Sequence, residues 1–415
     1  MIVSTYQEIA GREQKYLLNT YARYPLAIAR GKGVYVYDVE GRRYLDFLTG
    51  LGVNALGHSH PRIVKVIRDQ AAKIIHVSNL YYNEYQGLLA EKLCTASGMD
   101  RAFFSNSGTE AIEGALKLVR AAGHAAGGPE KCVIIALDNS FHGRTMGALA
   151  LTGQPKYRKD FDPMLEGVRF VPRNDVEALR GVMDGKVCAI VLEPIQGEGG
   201  IQETTPEFLT ACRELADQHQ AALIFDEIQC GMGRTGRLFA FEHFGVTPDV
   251  VCIAKPIAAG LPLGAFLSKE QFARHITPGK HGTTFGGGPL TCRVALEYLA
   301  ILEDENLLER VRRVGAYLSQ KLRELVDKFD IATEVRGVGA IQALQLTVAG
   351  KPVLEGALAD GLLINVTQEN VLRFLPPFLL EEKDVDRGIR ILRRQLAAAQ
   401  KQARAEKKAA VSSAG

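Results

Sequence analysis

Short apolar runs alternate with amphipathic stretches through the middle of the chain, from about residue 62 to residue 267. The runs are rich in β-branched and aromatic residues, whereas the stretches between them repeat their apolar positions every three or four residues, as helices do. Strands that are apolar at nearly every position are buried on both sides. The pattern therefore predicts a mostly parallel sheet covered by helices on both faces. The predicted strands are AFFSN, KCVIIAL, VRFVP, VCAIVL, ALIFDE, VVCIA and GAFL, and the clearest predicted helices cover 109–122, 175–182 and 206–219.

The regions on either side of this core carry different patterns. In GVYVYDVEGRRYLDF, apolar and polar residues alternate around the turn 39–42, which predicts a β-hairpin. Beyond residue 289, long amphipathic stretches are grouped with a few strands, as in an α+β domain. We therefore predict an α/β protein whose smaller α+β domain is built from the C-terminal part and an N-terminal segment. The predicted limits are 1–61 for the N-terminal segment, 62–289 for the large domain, 290–398 for the small domain and 399–415 for a flexible tail.

Composition excludes several classes of protein. Of the 415 residues, 47% are hydrophobic, which is enough apolar surface for a folded core. The 50 Lys and Arg nearly balance the 47 Asp and Glu, so the charge does not call for nucleic acid as a partner. No apolar run approaches the ~20 residues that cross a bilayer, and the N-terminus lacks the charged and apolar segments of a secretion signal. We expect a cytoplasmic protein that does not bind membranes.

The cysteines and histidines give no sign of a metal site. The seven cysteines are odd in number, never form a CxxC pair, and lie mostly within apolar runs. This pattern is typical of buried thiols in a reducing compartment, rather than of disulfides or zinc ligands. We interpret His58 and His60 as turn residues and His142 as part of an active-site wall.

The first candidate site joins the strand AFFSN to the helix that follows it. Ser105, Asn106, Ser107, Gly108 and Thr109 place small and hydroxyl residues at a strand-to-helix turn. Such a turn leaves backbone N–H groups free at the positive end of a helix, where a phosphate can bind. An ordinary helix cap uses the same residue types, so the motif predicts a phosphate site only in combination with other features.

The second and third candidates each follow an apolar strand. Asp226 ends the run ALIF, at the sheet edge where α/β proteins bind ligands, and a carboxylate there needs a cation such as a protonated pyridine nitrogen. Lys255 is the single charge in VVCIAKPIAAGLPLGAF. Burial lowers the pKa of a lysine and makes its amine available as a nucleophile and proton carrier.

Together these three features meet the requirements of pyridoxal phosphate (PLP), which has a phosphate, a pyridine nitrogen and an aldehyde that reacts with lysine. An NAD-dependent dehydrogenase would need G-x-G-x-x-G after its first strand, where this chain has SNSGTE. A ligand-binding protein without catalysis would leave Lys255 and Asp226 unexplained. Glu193 and Glu198 share one glycine-rich loop, which indicates residues that shape the site rather than a glycosidase pair.

The series of motifs resembles one enzyme family along most of the chain, from about residue 21 to residue 396. The stretches FFSNSGTEAIEGALKLVR, VLEPIQGEGGI, LIFDEIQCGMGRTGRLFAFEHFGVTPDVVCIAK, HGTTFGGGPL and VLRFLPPF are similar to those of class III (ω-) aminotransferases, which are PLP enzymes of fold type I. Within that family they are most similar to acetylornithine and succinylornithine aminotransferases. One departure is visible: where the family commonly reads A-L-G-G-G after the lysine, this chain has Pro256, Ile257, Ala258, Ala259 and Gly260.

The resemblance also implies the roles of individual residues. In a homodimer, Lys255 would attach the cofactor and carry protons, Asp226 would pair with the pyridine nitrogen, and Gln229 would bind the phenolic oxygen. The phosphate would bind to Ser107, Gly108 and Thr109, with Thr284 added from the other subunit, and Phe141 would stack on the ring. Arg144 and Arg373 would bind carboxylates, Thr283 would contact substrate, and Glu198 would lie beside Arg373.

The reaction that the resemblance implies is the transamination of N2-acetyl-L-ornithine with 2-oxoglutarate, in arginine biosynthesis. Its products are N-acetyl-L-glutamate 5-semialdehyde and L-glutamate. The alternatives use the same cofactor: ornithine, 4-aminobutyrate or succinyldiaminopimelate transamination, a carrier-bound substrate of lysine biosynthesis, or glutamate-semialdehyde isomerisation. The stretch LTGLGVN lacks the tyrosine that ornithine aminotransferases have there, which favours an N-acylated substrate.

Overall fold

The computed structural model describes residues 5–413, with side chains to residue 409. The helices in this range are α1 (Tyr6–Tyr16), α2 (Thr49–Gly52), α3 (Pro61–Ala71), α4 (Gln86–Ser97), α5 (Gly108–Gly127), α6 (Met146–Ala150), α7 (Pro155–Arg158), α8 (Val176–Val182), α9 (Pro206–Gln218), α10 (Glu270–Ala273), α11 (Pro289–Asp304), α12 (Leu307–Val326), α13 (Lys351–Ala359) and α14 (Glu382–Ser413). Two short 3-10 turns cover Ala240–His243 and Lys255–Ala258.

The strands of the same range are β1 (Ile28–Lys32), β2 (Tyr35–Asp38), β3 (Arg43–Asp46), β4 (Arg101–Ser105), β5 (Val133–Leu137), β6 (Val168–Val171), β7 (Val187–Leu192), β8 (Ile195–Gln196), β9 (Gln202–Glu203), β10 (Ala222–Asp226), β11 (Val250–Ile253), β12 (Gly264–Ser268), β13 (Ala332–Val338), β14 (Ile341–Leu346), β15 (Leu362–Leu363), β16 (Asn365–Thr367) and β17 (Val371–Phe374).

The central sheet of the described chain has seven strands in the order β4-β12-β11-β10-β7-β5-β6. Every residue of β5, β7 and β10 is buried, as expected for strands covered on both faces. Strand β12 runs antiparallel to both of its neighbours, whereas the other pairs are parallel. The prediction of a mostly parallel sheet is confirmed. Strands β4, β5, β7, β10 and β11 all end at the same edge, which is where ligands bind in such sheets.

The N-terminal hairpin and the C-terminal part share one structure, as predicted. Strand β15 extends the hairpin sheet by pairing parallel with β3, so that Leu362 lies opposite Leu45. Phe47 is buried in the same apolar cluster as Phe374 and Leu392. A second sheet of this part has the order β13-β14-β17-β16.

The predicted domain limits can be compared with two apolar clusters. Helix α11 and the start of α12 bury Cys292, Tyr298 and Val311 in one cluster. The other cluster joins Val34, Leu45 and Phe47 to residues from Val314 onwards. Residues 399–413 continue helix α14, whereas residues 414 and 415 of the predicted tail lie outside the described residues. The flexibility of this tail stays a prediction. Between residues 5 and 413, none of the helices is both long and apolar enough to cross a bilayer.

Candidate active site

A cavity of about 430 Å³ opens at the carboxyl edge of the central sheet. It is bordered by the ends of β4, β7, β10 and β11, so residues distant in sequence meet there. The predicted site residues that line it are Ser107, Gly108, Thr109, Phe141, Arg144, Glu198, Asp226, Gln229 and Lys255. The seven cysteines are all unpaired, and no group of three or more metal-ligating side chains is found within residues 5–413.

The N-terminus of α5 forms one wall of the cavity. Ser107 caps the helix, since its hydroxyl accepts a hydrogen bond from the Glu110 N–H at 3.3 Å. The N–H groups of Gly108 and Thr109 donate to no acceptor in the described chain. These two N–H groups and the positive end of the helix dipole make this wall suitable for an anion.

A buried ion pair lies on the floor of the cavity. The Nδ1 of His142 is 2.8 Å from the Oδ2 of Asp226, and the other Asp226 oxygen accepts the N–H of Ile228 at 3.0 Å. Burial disfavours a charged imidazole, but the hydrogen bond to Asp226 and its negative charge outweigh this and raise the pKa of His142. These two hydrogen bonds therefore fix the orientation of the Asp226 side chain, which lines the cavity.

The Lys255 amine reaches the cavity from the turn after β11. In the described chain its Nζ has no hydrogen-bond partner and no ion pair. Burial lowers the pKa of Lys255, while the negative charges of Glu198 and Asp226 partly oppose that shift. Lys255 has a φ of 41°, and Pro256 occupies the first turn of a 3-10 helix, where its missing N–H costs no hydrogen bond.

Glu193 links two parts of the cavity wall. One of its carboxylate oxygens accepts the N–H of Phe141 at 3.0 Å, and the other accepts the N–H of Gly197 at 3.1 Å. Burial raises the pKa of Glu193 to about 7, although the charge of His142 opposes this. These contacts fit the interpretation of Glu193 as a residue that shapes the site.

Arg373 lies behind the cavity wall and contacts it through Glu198. Its Nη1 is 2.6 Å from the Oε1 of Glu198, and its side chain is almost completely buried. Burial alone would raise the pKa of Glu198, but the charge and hydrogen bond of Arg373 lower it overall. The Arg373 Nε is buried without a partner in the described chain.

Three other predicted residues are near the cavity mouth or outside it. Arg144 is exposed and stacks on the ring of Tyr157, with its guanidinium carbon 4.1 Å from the ring centre. The Thr283 hydroxyl accepts a hydrogen bond from the Asn106 amide at 3.2 Å, which ties it to a residue that lines the cavity. Thr284 is exposed and does not line the cavity in the single chain.

Sequence reasoning missed Asn365. It lies directly opposite Arg373 in the antiparallel pair of β16 and β17, and its Oδ1 accepts a hydrogen bond from the Arg373 Nη2 at 2.7 Å. An asparagine in a short apolar run carries no recognisable motif, and only the register of two strands connects it to the site.

Comparisons with known proteins agree with this geometry. The family model "Aminotransferase class-III" matches residues 16–396. The chain is 47% identical to the acetylornithine aminotransferase of Methanocaldococcus jannaschii over 92% of this chain and 96% of that protein. It is 46% identical to the acetylornithine aminotransferase of Caldanaerobacter subterraneus over 92% and 97%.

Solved structures show the same fold. The structure of ornithine aminotransferase from Toxoplasma gondii superposes with a TM-score of 0.92 at 32% identity, covering 96% of each chain. A second structure of that enzyme is described as having partial occupancy of PLP at its active site. Acetylornithine aminotransferase from Elizabethkingia anophelis superposes with a TM-score of 0.85 at 31% identity, covering 95% of this chain and all of that one. The chain therefore belongs to the class III aminotransferase family.

Proposed function

We propose that this protein transfers the terminal amino group of N2-acetyl-L-ornithine to 2-oxoglutarate with PLP as cofactor, in arginine biosynthesis. The products are N-acetyl-L-glutamate 5-semialdehyde and L-glutamate. The choice of substrate is supported by the acetylornithine aminotransferases among its relatives, at 41% to 47% identity. The observation that carries the proposal is the Lys255 amine, which shares one cavity with the N-terminus of α5 and with Asp226.

The residues of the cavity fit PLP. The free N–H groups of Gly108 and Thr109 suit a phosphate, the Asp226 carboxylate suits a protonated pyridine nitrogen, and the Lys255 amine suits an aldehyde. A Cβ on residue 108 would come within 2.7 Å of the Ile228 side chain. Glycine at residue 108 therefore allows the N-terminus of α5 to lie close to the turn that follows Asp226. Gln229 and Phe141 line the same cavity, in support of the phenolic-oxygen and ring-stacking roles.

When bound, PLP supplies an electron sink that stabilises the charge left on the substrate carbon after a proton is removed. Lys255 is the base, because its lowered pKa leaves more of the amine neutral near pH 7 and able to accept that proton at Nζ. Asp226 would keep a proton on the pyridine nitrogen. The hydrogen bond from His142 fixes the orientation of Asp226 for that purpose.

The Glu198–Arg373 pair offers a way to accept two different amines in one site. Glutamate has a carboxylate beside its reacting carbon, whereas the terminal amine of acetylornithine has none. Pairing with Glu198 occupies the Arg373 Nη1 while acetylornithine reacts, and glutamate would replace Glu198 with its own carboxylate. Arg144 at the cavity mouth would bind the other carboxylate of either substrate, and Thr283 would contact the substrate beside it.

We also propose a homodimer in which Thr284 of one subunit completes the phosphate site of the other. Exposed apolar side chains lie in the Thr284 loop and in the segment 74–82 that contacts it, which is typical of a surface covered by a second protein. Asn79 donates hydrogen bonds to the backbone oxygens of Thr283 and Gly286, so this surface is continuous with the loop. Its exposed apolar residues are Ile74, Ile75, Leu80, Tyr81, Tyr82 and Phe285.

The proposed location of the protein is the cytoplasm. The unpaired cysteines fit this location, because thiols stay reduced there. The similarity to ornithine aminotransferases leaves ornithine as the competing substrate, but the stretch 48–54 contains no tyrosine that could hold a free α-amino acid. An N-acylated amine therefore fits the site better than free ornithine.

The proposal is tested by measuring glutamate formation from 2-oxoglutarate with acetylornithine, ornithine or 4-aminobutyrate as donor. We expect acetylornithine to have a kcat/KM at least about tenfold above the other donors, and the Lys255→Ala variant to lose at least about a thousandfold in kcat. Lys65→Ala, which removes an exposed lysine far from the cavity, is the control. A preference for ornithine would overturn the substrate, and turnover by Lys255→Ala would overturn the mechanism.

A further inference from the structure

The strand pair β16–β17 contains Arg373 and also contacts the backbone of Glu198. Arg373 belongs to β17, and Asn365 faces it from β16. The turn between the strands reaches the Glu198 backbone, since the Thr367 hydroxyl and the Gln368 amide both donate to the Glu198 carbonyl oxygen at 2.7 Å. The backbone of Glu198 is therefore fixed by the hairpin, and movement is left to its carboxylate.

The two Nη atoms of Arg373 have partners of different charge. Nη1 is 2.6 Å from the Glu198 carboxylate, and it also approaches the carbonyl oxygen of Gly197 and the amide oxygen of Gln229, both at 3.3 Å. Nη2 donates to the amide oxygen of Asn365 at 2.7 Å. The Nη1 side can exchange one carboxylate for another, whereas the Nη2 side has a neutral partner that stays in place.

An amide accepts a hydrogen bond without adding a negative charge. If residue 365 were aspartate, Arg373 would be held between two carboxylates, and its charge would be neutralised whether or not Glu198 moved away. With asparagine, one full positive charge becomes available as soon as Glu198 leaves. The neutral side chain at residue 365 thus controls how strongly Arg373 attracts an incoming carboxylate.

We propose that Asn365 is a specificity-determining positioning residue, a neutral anchor that orients the Arg373 guanidinium and reserves its charge for a carboxylate beside the reacting carbon. This inference rests on the proposed function, because it assumes that Arg373 binds the carboxylate of glutamate. It predicts that residue 365 affects glutamate and 2-oxoglutarate but leaves the terminal amine of acetylornithine nearly unaffected.

The test compares Asn365→Asp with Asn365→Ala in the PLP-loaded enzyme. Asn365→Asp has nearly the same shape and adds a charge, so we expect the KM for glutamate in its half-reaction to rise about tenfold with little change in kcat. The acetylornithine half-reaction is expected to stay within about twofold of the parent. Asn365→Ala removes the anchor without adding a charge, and we expect a rise of about threefold in the same KM.

A binding measurement separates this proposal from the proposed function. Glutarate, a dicarboxylate without an amine, is titrated into each variant by calorimetry, and its Kd should rise in the order parent, Asn365→Ala, Asn365→Asp. Asn370→Asp is the control, because it adds the same charge to the same hairpin at a residue whose amide donates to the Leu346 carbonyl oxygen and does not contact Arg373. Losing that hydrogen bond should lower its Tm, while its glutarate Kd should stay near the parent value. If acetylornithine is no substrate but the glutarate order holds, the proposed function fails while the role of Asn365 stands.

Three results would overturn the role of Asn365. The first is an equal effect of Asn365→Asp on both half-reactions, which indicates general damage to the site. The second is an Asn365→Ala variant as impaired as Asn365→Asp, which means that charge is irrelevant. The third is unchanged glutarate binding in both variants. Should Asn365→Asp fail to fold, an Asn365→Ala variant with parental glutarate affinity would overturn the role by itself.

Discussion

At the scale of single residues, the reactivity of Lys255 depends on the charges and the burial around it. Removal from water favours its neutral amine, and the carboxylates of Glu198 and Asp226 favour its charged form. Burial is the larger effect, so the pKa of Lys255 is lowered from its ordinary value of 10.5. The neutral form required for attack on a carbonyl is thereby populated at lower pH.

This balance predicts the pH dependence of Lys255 modification in the protein without PLP. Because only neutral amines react, reductive methylation of Lys255 should increase with pH around a midpoint below 10.5. Glu198→Gln removes a negative charge that raises this pKa, so the midpoint should move further down. Peptide mass spectrometry gives the rates, and the same lysine in urea-denatured protein is the reference. A midpoint that moves up in Glu198→Gln would contradict this assignment of charges.

The Glu198–Arg373 pair predicts opposite effects of two substitutions. Glu198→Ala leaves Arg373 buried without its carboxylate, so the site should favour amines that carry a neighbouring carboxylate. We expect the acetylornithine half-reaction to slow about tenfold more than the glutamate half-reaction, and Arg373→Ala to do the reverse. Stopped-flow measurement of each half-reaction decides this, with the exposed Glu207→Ala as control. Unchanged ratios in both variants would rule out the exchange of carboxylates.

Residues whose type is unusual for their place in the sequence could be predicted to have a function. Residues that matter only because of their position in the folded chain could not. A lysine in an apolar run and an aspartate at a strand end indicate a function when they occur together with a phosphate-binding turn, because the combination meets the requirements of one cofactor. Asn365 acts because two strands pair in one particular register, which no local pattern specifies. Thr284 does not line the cavity of the single chain, and its predicted role came from family resemblance and from the loop rich in Gly and Thr that contains it.

At the scale of elements, the N-terminus of α5 is held against the turn after β10 by close packing. A Cβ added at Gly108 would lie 2.7 Å from one carbon of Ile228 and 2.8 Å from another, which is too close for both. The Ile228 side chain would have to turn away, or the helix end or the turn would have to move. Ile228 lines the cavity, the helix end carries the proposed phosphate site and the turn follows Asp226, so each of these shifts changes the walls that would hold the cofactor.

Gly108→Ala should therefore weaken PLP binding more than it weakens folding. We expect the Kd for PLP to rise about tenfold, equivalent to about 1.4 kcal/mol, with a small decrease in Tm. Gly181→Ala in α8 is a matched control, because its added Cβ would meet no atom within 4 Å. Equilibrium dialysis gives both Kd values. Equal PLP affinity in the parent and Gly108→Ala would show that the approach of these elements is not needed for binding.

Most of the central elements followed from the sequence because their apolar patterns are strong. Strand β10 and helix α9 were predicted to within about one residue, since the period of apolar positions changes sharply between them. The antiparallel direction of β12 was not predicted. A strand buried on both faces has the same apolar pattern in either direction, so the pattern does not show which way β12 runs. The length of the connection from β11 could have shown it, because that connection is too short to contain the helix of a parallel crossover.

At the scale of the whole molecule, distant segments are held together by Arg234. Its guanidinium is completely buried and donates to the backbone oxygens of Gly52, Ala340 and Pro376. These oxygens lie at the end of α2, between β13 and β14, and just after β17, whereas Arg234 follows β10. Burial lowers the pKa of Arg234 to about 10. Its bonds to carbonyl oxygens therefore join three segments that are distant in sequence.

The proposed homodimer predicts complementation between two defective subunits. Thr284→Asp would place a negative charge near the phosphate of the partner's site, so the variant homodimer should lose most of its PLP affinity. Lys255→Ala should be inactive for a different reason. In a mixed dimer, the subunit with intact Lys255 receives an intact Thr284 from its partner, so one working site should be restored. Activity after mixing under dissociating conditions measures this, and its absence despite mixed dimers would contradict the shared site.

Lys255 is proposed to bond to PLP and to carry out amino-group transfer. Reduction of the PLP-loaded protein with borohydride, followed by proteolysis and mass spectrometry of the labelled peptide, tests this role. We expect one phosphopyridoxyl group per chain, on Lys255, and no such group when acetylornithine is added before the reductant. A label on another lysine, or a label that acetylornithine does not remove, would contradict this role.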